Sequence, residues 1–393
     1  MPWPYPQGSQ MLVEHEVRAL RDAGAEAILL CHGRGCGRPR WEIPVVRIPR
    51  ALSPARMRSG PSPRRPVADA ALALALLREH RRRRFDAVVA HNAEAALAAL
   101  AVRPAIRLPV VYVAHTLLAE ELPTYLRRAL RAPAARLGHG VDALLARRAD
   151  VCVALSPRGE RALAALGARR VVSLPPGPGG EGKPKPERVA RRLDLLGLRR
   201  GGFACYAGNL DPYQDLPLLA AVAARLAPRP VVVATHDVRG SAHGLARAAV
   251  RGGLRVVELP DPDAVRELLA GAGVAVAPRR RAAGFPMKLL NYLEAGVPVV
   301  AFEEAAGVLR HQEHAWLLPR TAGAMEFVAA AMCLLEDRDL ANRLAAGGRA
   351  LLGSELSWER HARGLLALLP PGGSRPCTRD GDPGSRRPGA AAR

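Results

Sequence analysis

Short apolar runs alternate with helical segments along most of this 393-residue chain. Runs such as Val110–Ala114 and Val231–Thr235 have the length and valine content of buried strands, and helical periodicity follows each of them. Parallel strands need a helical crossover and bury both faces. The alternation therefore predicts an α/β fold in which parallel sheets carry helices on both sides.

A proline- and glycine-rich stretch at 175–186, PPGPGGEGKPKP, divides the alternation into two parts of similar size. We predict a first domain at 1–174, a linker at 175–186, a second domain at 187–356, a closing helix at 357–369 and a disordered tail at 370–393. The predicted strands are 27–30, 45–48, 87–90, 110–114, 151–155 and 171–174, then 203–207, 231–235, 255–259, 274–277 and 297–302. The first predicted helix is 15–23, and another is 240–251.

The chain starts with loop-forming residues, MPWPYPQGSQ, where a doubly wound domain usually starts with a strand. Two explanations stay open. Either the sheet has no such strand, or the given sequence lacks it.

The formal net charge is +22, and nearly all of the positive charge is arginine. Such an excess is compatible with nucleic acid, anionic lipid or an anionic substrate, and a compositional bias toward arginine explains part of it. Basic clusters stand at 81–84, 127–131 and 279–281. Since no basic patch is interleaved with aromatic residues, we do not expect nucleic acid as a partner.

The six cysteines are scattered and show neither a disulfide framework nor zinc-ligand spacing. No apolar run approaches the roughly 20 residues of a membrane span, and no secretory signal is visible. We therefore expect a cytoplasmic location, with no metal and no other cofactor.

Polar residues follow several predicted strands, at the edge where open parallel sheets bind ligands. In the first part these are His91 and His115, together with Gly8 and Ser9 ahead of the first helix. In the second part they include Gly208, Asn209 and Arg279. His115 directly follows the apolar run VVYVA, where a histidine can bond a ligand or a developing charge, although many such histidines are structural.

The segment 284–300, GFPMKLLNYLEAGVPVV, predicts a loop, a short helix that ends at Gly296, and a buried strand. A helix N-terminus offers free N–H groups and a positive dipole end to an anion. Lys288 adds a cation to the first turn. The pattern therefore predicts a phosphate site, and the alternative is an ordinary crossover with a solvated lysine.

Taken in order, the segments PYPQGSQ, RFDAVVAHN, PVVYVAHTLLAEELPTY, ADVCVALS, YAGNLDPYQDL and GFPMKLLNYLEAGVPVVA resemble the GT-B glycosyltransferases, and among them glycosyltransferase family four. The resemblance covers roughly residues 1–369. It implies two Rossmann-like, doubly wound domains facing a cleft, with an acceptor site in the first and a nucleotide-sugar site in the second. It also implies transfer with retention of anomeric configuration and without a metal.

The resemblance also implies roles for individual residues. Gly8 and Ser9 lie near the donor diphosphate, and His115 lies near the transferred sugar. The other residues implied to bind the donor are Gly208, Asn209, Arg279, Lys288, Leu289 and Asn291.

The sequence departs from the family pattern at four positions. Ala283 and Asn291 stand where many members have a pair of glutamates, and Asn209 and Gln214 stand where many have an arginine and a lysine. An asparagine can still hydrogen-bond ribose, but an alanine cannot replace a carboxylate.

Our leading hypothesis is a retaining glycosyltransferase that moves a sugar from a nucleotide-sugar to a cell-envelope or lipid-linked acceptor, working at an anionic membrane surface. The alternative is a GT-B protein without turnover that binds nucleotide-sugars or serves as a scaffold.

Overall fold

A computed structural model describes residues 2–4, 8–36, 39, 41–54, 60, 62–179, 183–236, 253–282 and 284–369. The predicted helix at 240–251, the predicted tail at 370–393 and Ala283 lie outside the described residues. The described residues form two α/β domains in which every pairing between strands is parallel.

The first domain contains a four-stranded sheet and a separate strand pair. The sheet has the order β3-β4-β5-β6, and β1 pairs with β2. Its elements are α1 (Gly8–Asp22), β1 (Leu29–Cys31), β2 (Val45–Arg47), α2 (Arg65–Arg83), β3 (Val88–His91), α3 (Asn92–Ile106), β4 (Val110–Ala114), α4 (Leu118–Glu121), α5 (Arg128–Arg148), β5 (Val151–Ala154), α6 (Pro157–Ala165) and β6 (Val171–Ser173).

The second domain has one six-stranded sheet with the order β12-β11-β10-β7-β8-β9. Its elements are α7 (Pro186–Leu196), β7 (Ala204–Ala207), α8 (Leu216–Leu226), β8 (Val231–Thr235), β9 (Leu254–Glu258), α9 (Pro262–Gly271), β10 (Val274–Ala277), α10 (Met287–Ala295), β11 (Val299–Phe302), β12 (Trp316–Leu318), α11 (Ala324–Glu336), α12 (Arg338–Ser354) and α13 (Trp358–Leu366). The strand order reverses between β7 and β10, which is where doubly wound sheets bind ligands. Within the described ranges, no helix combines the length and the apolar character needed to cross a lipid bilayer.

The predicted α/β fold is confirmed, and each predicted strand is present with its ends within two residues of the prediction. The prediction missed helices α4 and α7, and it differs from the structure at two further elements. β12 was missed because only three residues, WLL, form it. Helix α1 begins at Gly8 and not at residue 15, so Gly8 and Ser9 belong to its first turn and not to a loop.

The two domains are in direct contact. One buried apolar cluster includes Val111 and Val153 of the first sheet together with Val232 and Ala275 of the second. At Gly284 the contact leaves no room for a side chain, because a Cβ there would lie 1.7 Å from the carbonyl oxygen of His115.

Helix α13 leaves the second domain and packs against α1 of the first. Its Trp358 stacks on His15 of α1, with ring centroids 5.3 Å apart, and donates its indole N–H to the carbonyl of Pro178 at 2.7 Å. The residues just after the first domain are therefore held by the last helix that the structure describes.

We predict that Gly284→Ala destabilises the contact between the domains by about 1–3 kcal/mol, because its Cβ overlaps a backbone oxygen that has little freedom to move. Chemical denaturation and small-angle scattering would measure the loss of stability and any opening of the cleft. Gly353→Ala is the matched control, since a Cβ there meets nothing within 4 Å. Equal behaviour of the two variants would contradict the prediction.

Candidate functional site

A cleft of about 580 Å³ lies between the two domains at the carboxyl ends of their strands. His91 at the end of β3 and His115 just after β4 line it from the first domain. Gly208 after β7 and Arg279 after β10 line it from the second domain, on either side of the point where the strand order reverses.

Most of the residues predicted from the sequence to form the site are brought together here. The cleft is lined by Gly8, Ser9, His115, Gly208, Asn209, Arg279, Lys288 and Asn291. Leu289 is different, because its side chain is fully buried in the core and its N–H is donated to the carbonyl of Pro286 at 2.9 Å. Neither group of Leu289 is available to a ligand, so its predicted role in donor binding is corrected.

Two helices from different domains present their N-terminal ends at the same place. A Cβ on Gly8, the first residue of α1, would lie 3.2 Å from the Cβ of Met287, the first residue of α10. The predicted end of α10 is confirmed, since Gly296 has φ of 69° and terminates the helix in the left-handed conformation. A helix N-terminus carries a partial positive charge, so this corner of the cleft favours an anion.

Lys288 is not a solvated lysine. Its Nζ donates to the hydroxyl of Tyr206 at 2.9 Å and to Oε1 of Gln214 at 2.6 Å, and it lies 4.3 Å from the centre of the Tyr206 ring. Burial, together with the nearby Arg279, holds the pKa of Lys288 well below its ordinary value. An anion in the cleft would supply the opposite charge that its present partners do not carry.

The amides at two of the departing positions are joined to Lys288. Gln214 donates its Nε2 to Oδ1 of Asn209 at 2.7 Å while its Oε1 accepts from Lys288. Asn209 in turn donates to Asp211 at 2.6 Å and to the hydroxyl of Tyr213 at 2.7 Å. Lys288, Gln214 and Asn209 therefore form one continuous hydrogen-bond network.

The arginines of the 279–281 cluster have different environments. Arg279 lines the cleft, with its guanidinium 4.7 Å from the centre of the Tyr213 ring. Arg280 bonds Asp215 at 2.7 Å and two backbone carbonyls, and Arg281 pairs with Glu304 at 3.1 Å. Arg279 is thus the arginine of this cluster that faces the cleft, and the other two are held by contacts within the protein.

His115 begins a chain of buried polar contacts. Its Nε2 lies 2.9 Å from Nδ1 of His91, whose Nε2 lies 3.0 Å from Glu16 of α1. The other oxygen of Glu16 lies 2.8 Å from Nε2 of His361 in α13. Burial lowers the pKa of His115 to about 3, so this imidazole is neutral near pH 7.

Burial alone would raise the pKa of Glu16, but its interactions with His91 and His361 hold that pKa well below the ordinary value. For His361 the hydrogen bond and charge of Glu16 outweigh the effect of burial, and its pKa is raised. Sequence reasoning missed both residues. Glu16 is one polar residue of a helix, and its contact with His361 joins positions 345 residues apart.

Three carboxyl groups, those of Asp69, Glu94 and Glu121, lie on the first-domain wall of the cleft. Glu94 pairs with Arg65 at 2.6 Å, and Glu121 accepts a hydrogen bond from Tyr125 at 3.2 Å. Burial and the neighbouring Glu94 raise the pKa of Asp69 to about 6, and burial also raises the pKa of Glu121. Carboxyl groups that accept and donate hydrogen bonds suit the hydroxyl groups of a sugar. In the described part of the chain, no group of three or more His, Cys, Asp or Glu side chains could hold a metal ion.

Two Rossmann-like domains that face a cleft at their strand ends define the GT-B architecture, and this protein has that architecture. Residues 6–179 match the family description Glycosyltransferase Family 4, and residues 203–337 match Glycosyl transferases group 1. The chain therefore belongs to the family-four glycosyltransferases of the GT-B fold. A comparison with curated protein sequences gives no match.

Solved structures agree with the fold. Sucrose-phosphate synthase from Thermosynechococcus elongatus has 18% identity and a TM-score of 0.76, with 92% of each chain covered. HepE from Anabaena in complex with UDP-glucose has 15% identity and a TM-score of 0.70, covering 93% of this chain and 98% of that one. WaaG, a glycosyltransferase involved in lipopolysaccharide biosynthesis, has 14% identity and a TM-score of 0.66, covering 93% and 97%. At these identities the likeness supports the fold alone.

We predict that Asp69→Asn stabilises the protein above pH 6 and has no effect below about pH 4. The folded pKa of about 6 exceeds the ordinary 3.8, so the folded state disfavours the ionised carboxylate, and stability falls as the pH rises between these values. We expect a gain of about 1 kcal/mol, discounted because the group is partly exposed. Thermal unfolding across the pH range measures it, with the exposed Asp194→Asn as control. A gain that does not depend on pH would contradict the assignment.

Proposed function

We propose that this glycosyltransferase moves a sugar from a nucleotide-sugar donor to a sugar or lipid-linked acceptor of the cell envelope. Transfer would proceed with retention of anomeric configuration and without a metal. The observation that carries the proposal is the meeting of two helix N-termini, from α1 and α10, beside Lys288 and Arg279 at the switch point of the second sheet. This arrangement can neutralise a diphosphate as it leaves the sugar.

The donor half of the proposal rests on electrostatics. A leaving nucleoside diphosphate gains negative charge, and an enzyme without a metal must meet that charge with N–H groups and side-chain cations. Lys288 would then exchange neutral partners for an ionic one, which favours its charged form. The structures of HepE with UDP and with UDP-glucose support a uridine nucleotide as the first donor to test.

We assign the reacting sugar to the neighbourhood of His115. This residue lines the cleft at the end of β4, and its Nδ1 is buried without a hydrogen-bond partner among the described residues. A neutral imidazole can bond a sugar hydroxyl without adding charge near a developing oxocarbenium ion. Asn291, which also lines the cleft, would bond the ribose.

The acceptor would bind against the first-domain wall formed by Asp69, Glu94, Glu121 and Tyr125. These groups suit an acceptor rich in hydroxyl groups. The participation of WaaG in lipopolysaccharide biosynthesis supports a cell-envelope acceptor for this chain.

We further propose that the first domain touches the inner face of the membrane through α5, so the enzyme is cytoplasmic and peripheral. Leu130, Leu137 and Leu144 recur every seven residues on this helix, and 53%, 65% and 46% of their surfaces are exposed. Arg127, just before this helix, and the helix arginines at 128, 131 and 136 are exposed, while the one carboxylate of the helix, Asp142, is fully buried. An apolar stripe with cations around it suits a membrane containing anionic lipid.

The alternative function is nucleotide-sugar binding without turnover. It is favoured by Ala283, Asn209 and Gln214, which replace a carboxylate and two cations of the family pattern. The network that joins Gln214 and Asn209 to Lys288 argues for turnover, because it keeps one cation at the helix N-terminus instead of leaving the site neutral.

We predict that a panel of nucleotide-sugars will include a donor that raises the melting temperature and is turned over, and that Lys288→Met weakens its binding by about tenfold to a hundredfold. That range corresponds to the loss of a charge-assisted hydrogen bond. Calorimetry gives the affinity, and NMR of the product gives the anomeric configuration. Lys183→Met, which changes an exposed lysine, is the matched control.

Donor binding without transfer or hydrolysis would favour the alternative function. An inverted product would refute retention, and an undiminished affinity in Lys288→Met would refute the assigned role of that lysine.

We predict that wild-type protein floats with vesicles containing anionic lipid but not with neutral vesicles, and that changing Leu130, Leu137 and Leu144 together to serine abolishes flotation. The leucines supply buried apolar area, and the arginines supply attraction to the anionic surface. Leu195→Ser removes a leucine that is 69% exposed on the second domain and is the control. Equal flotation with anionic and with neutral vesicles would refute the proposed binding to an anionic membrane surface.

A further inference from the structure

A chain of hydrogen bonds leads from the cleft to α13, the last described helix. We call His115, His91, Glu16 and His361 the histidine relay. Its contacts measure 2.9, 3.0 and 2.8 Å in that order, and it ends where Nδ1 of His361 lies 3.2 Å from the carbonyl oxygen of Pro175. The side chains of Glu16 and His361 are 1% and 0% exposed, so water does not replace these bonds.

The positions of the protons can be worked out from the far end of the relay. A carbonyl oxygen only accepts hydrogen bonds, so Nδ1 of His361 must donate to Pro175. An ionised Glu16 also only accepts, so Nε2 of His361 must donate as well. His361 is therefore an imidazolium, in agreement with the raised pKa of His361 and the lowered pKa of Glu16.

The net charge of the buried cluster then determines whether His91 is protonated. Glu16 and His361 already form a neutral pair, and a proton added to His91 would leave a net positive charge in a buried cluster. His91 is therefore neutral. Its Nε2 donates to Glu16, so its Nδ1 carries a lone pair and must accept from Nε2–H of His115.

We propose that Glu16 and His361 are positioning residues that fix His115 as its Nε2–H tautomer, so that its Nδ1 offers a lone pair to an uncharged sugar hydroxyl in the cleft. The inference rests on the proposed function for the identity of the ligand. The tautomer itself follows from the relay alone.

This assignment narrows the class of substrate. A neutral nitrogen with a lone pair attracts a hydroxyl hydrogen and repels an oxyanion. The sugar group that contacts His115 is therefore a hydroxyl and not a carboxylate or a phosphate. His361, on the last described helix, would then control which hydrogen bond the cleft offers to its substrate.

The first test is the tautomer of His115, read from nitrogen-15 NMR of its imidazole near neutral pH in the full-length protein. We expect a protonated Nε2 and an unprotonated Nδ1 in the wild type. A protonated Nδ1 on His115 would overturn the proposal, whatever the activity of the enzyme.

Two variants test the charge balance. His361→Gln keeps a donor toward Glu16 but removes the positive charge, so we expect Glu16 to draw a proton onto His91. A protonated His91 donates to Nε2 of His115, which then becomes the Nδ1–H tautomer. Adding Glu16→Gln to this variant removes the negative charge as well, so His91 should return to neutral and His115 to its original tautomer.

Rescue by the double variant tests the charge balance, because this variant removes both charges of the buried pair and so takes away the reason for a proton on His91. His314→Gln is the control. It changes another buried histidine, which bonds the backbone of Arg310 away from the relay, and should leave the tautomer unchanged. A tautomer unaltered in His361→Gln, or altered but not rescued, would overturn the proposal.

Kinetics then connect the relay to transfer. With a donor identified, we expect His361→Gln to lower kcat by about tenfold or more, while the donor KM changes by less than about twofold, since the bond to the hydroxyl matters most in the transition state. His115→Ala should lower kcat at least as much. If no donor is turned over while the tautomers behave as expected, the proposed function fails and the relay stands.

Discussion

The structure depends on a carboxylate that is almost completely enclosed. Glu16 of α1 has 1% of its side chain exposed, and a buried charge of this kind is tolerated only when strong partners surround it. Its partners come from β3 and from α13, so one side chain ties the first sheet, the first helix and the last helix together. The position of His115 in the cleft follows from this arrangement, because His91 lies between the two.

The second domain likewise places one ionisable side chain, that of Lys288, among buried neighbours. A lysine in place of Gln214 would bring a second ammonium group close to Lys288, which is strongly unfavourable at low local dielectric. The amides of Gln214 and Asn209 are therefore physically compatible with Lys288 where charged residues are not. These departures are consistent with a charge moved from one element to another, and the adjacent helix N-termini add to it.

Much of the fold could be predicted from the sequence, since valine-rich runs, helical periodicity and caps such as Gly296 are local features. The parts of the cleft that follow strand ends could be predicted for the same reason, because strand ends converge in parallel sheets. Contacts between residues that are far apart in the sequence could not be predicted. Glu16 and His361 have no local signature, and Leu289 differs from its neighbour Lys288 only in the face of α10 on which it lies. The extension of α1 back to Gly8 was likewise hidden, because glycine and serine are poor helix formers.

The return of α13 to the first domain has a consequence for synthesis on the ribosome. Domains generally fold in order as the chain emerges, but Glu16 is made early and its partner His361 comes from the last described helix. Until that helix has emerged, the nascent first domain holds a carboxylate that lacks its cationic partner. The interior of the first domain is thus completed only after the second domain has been translated, and the cleft is assembled at the end of synthesis.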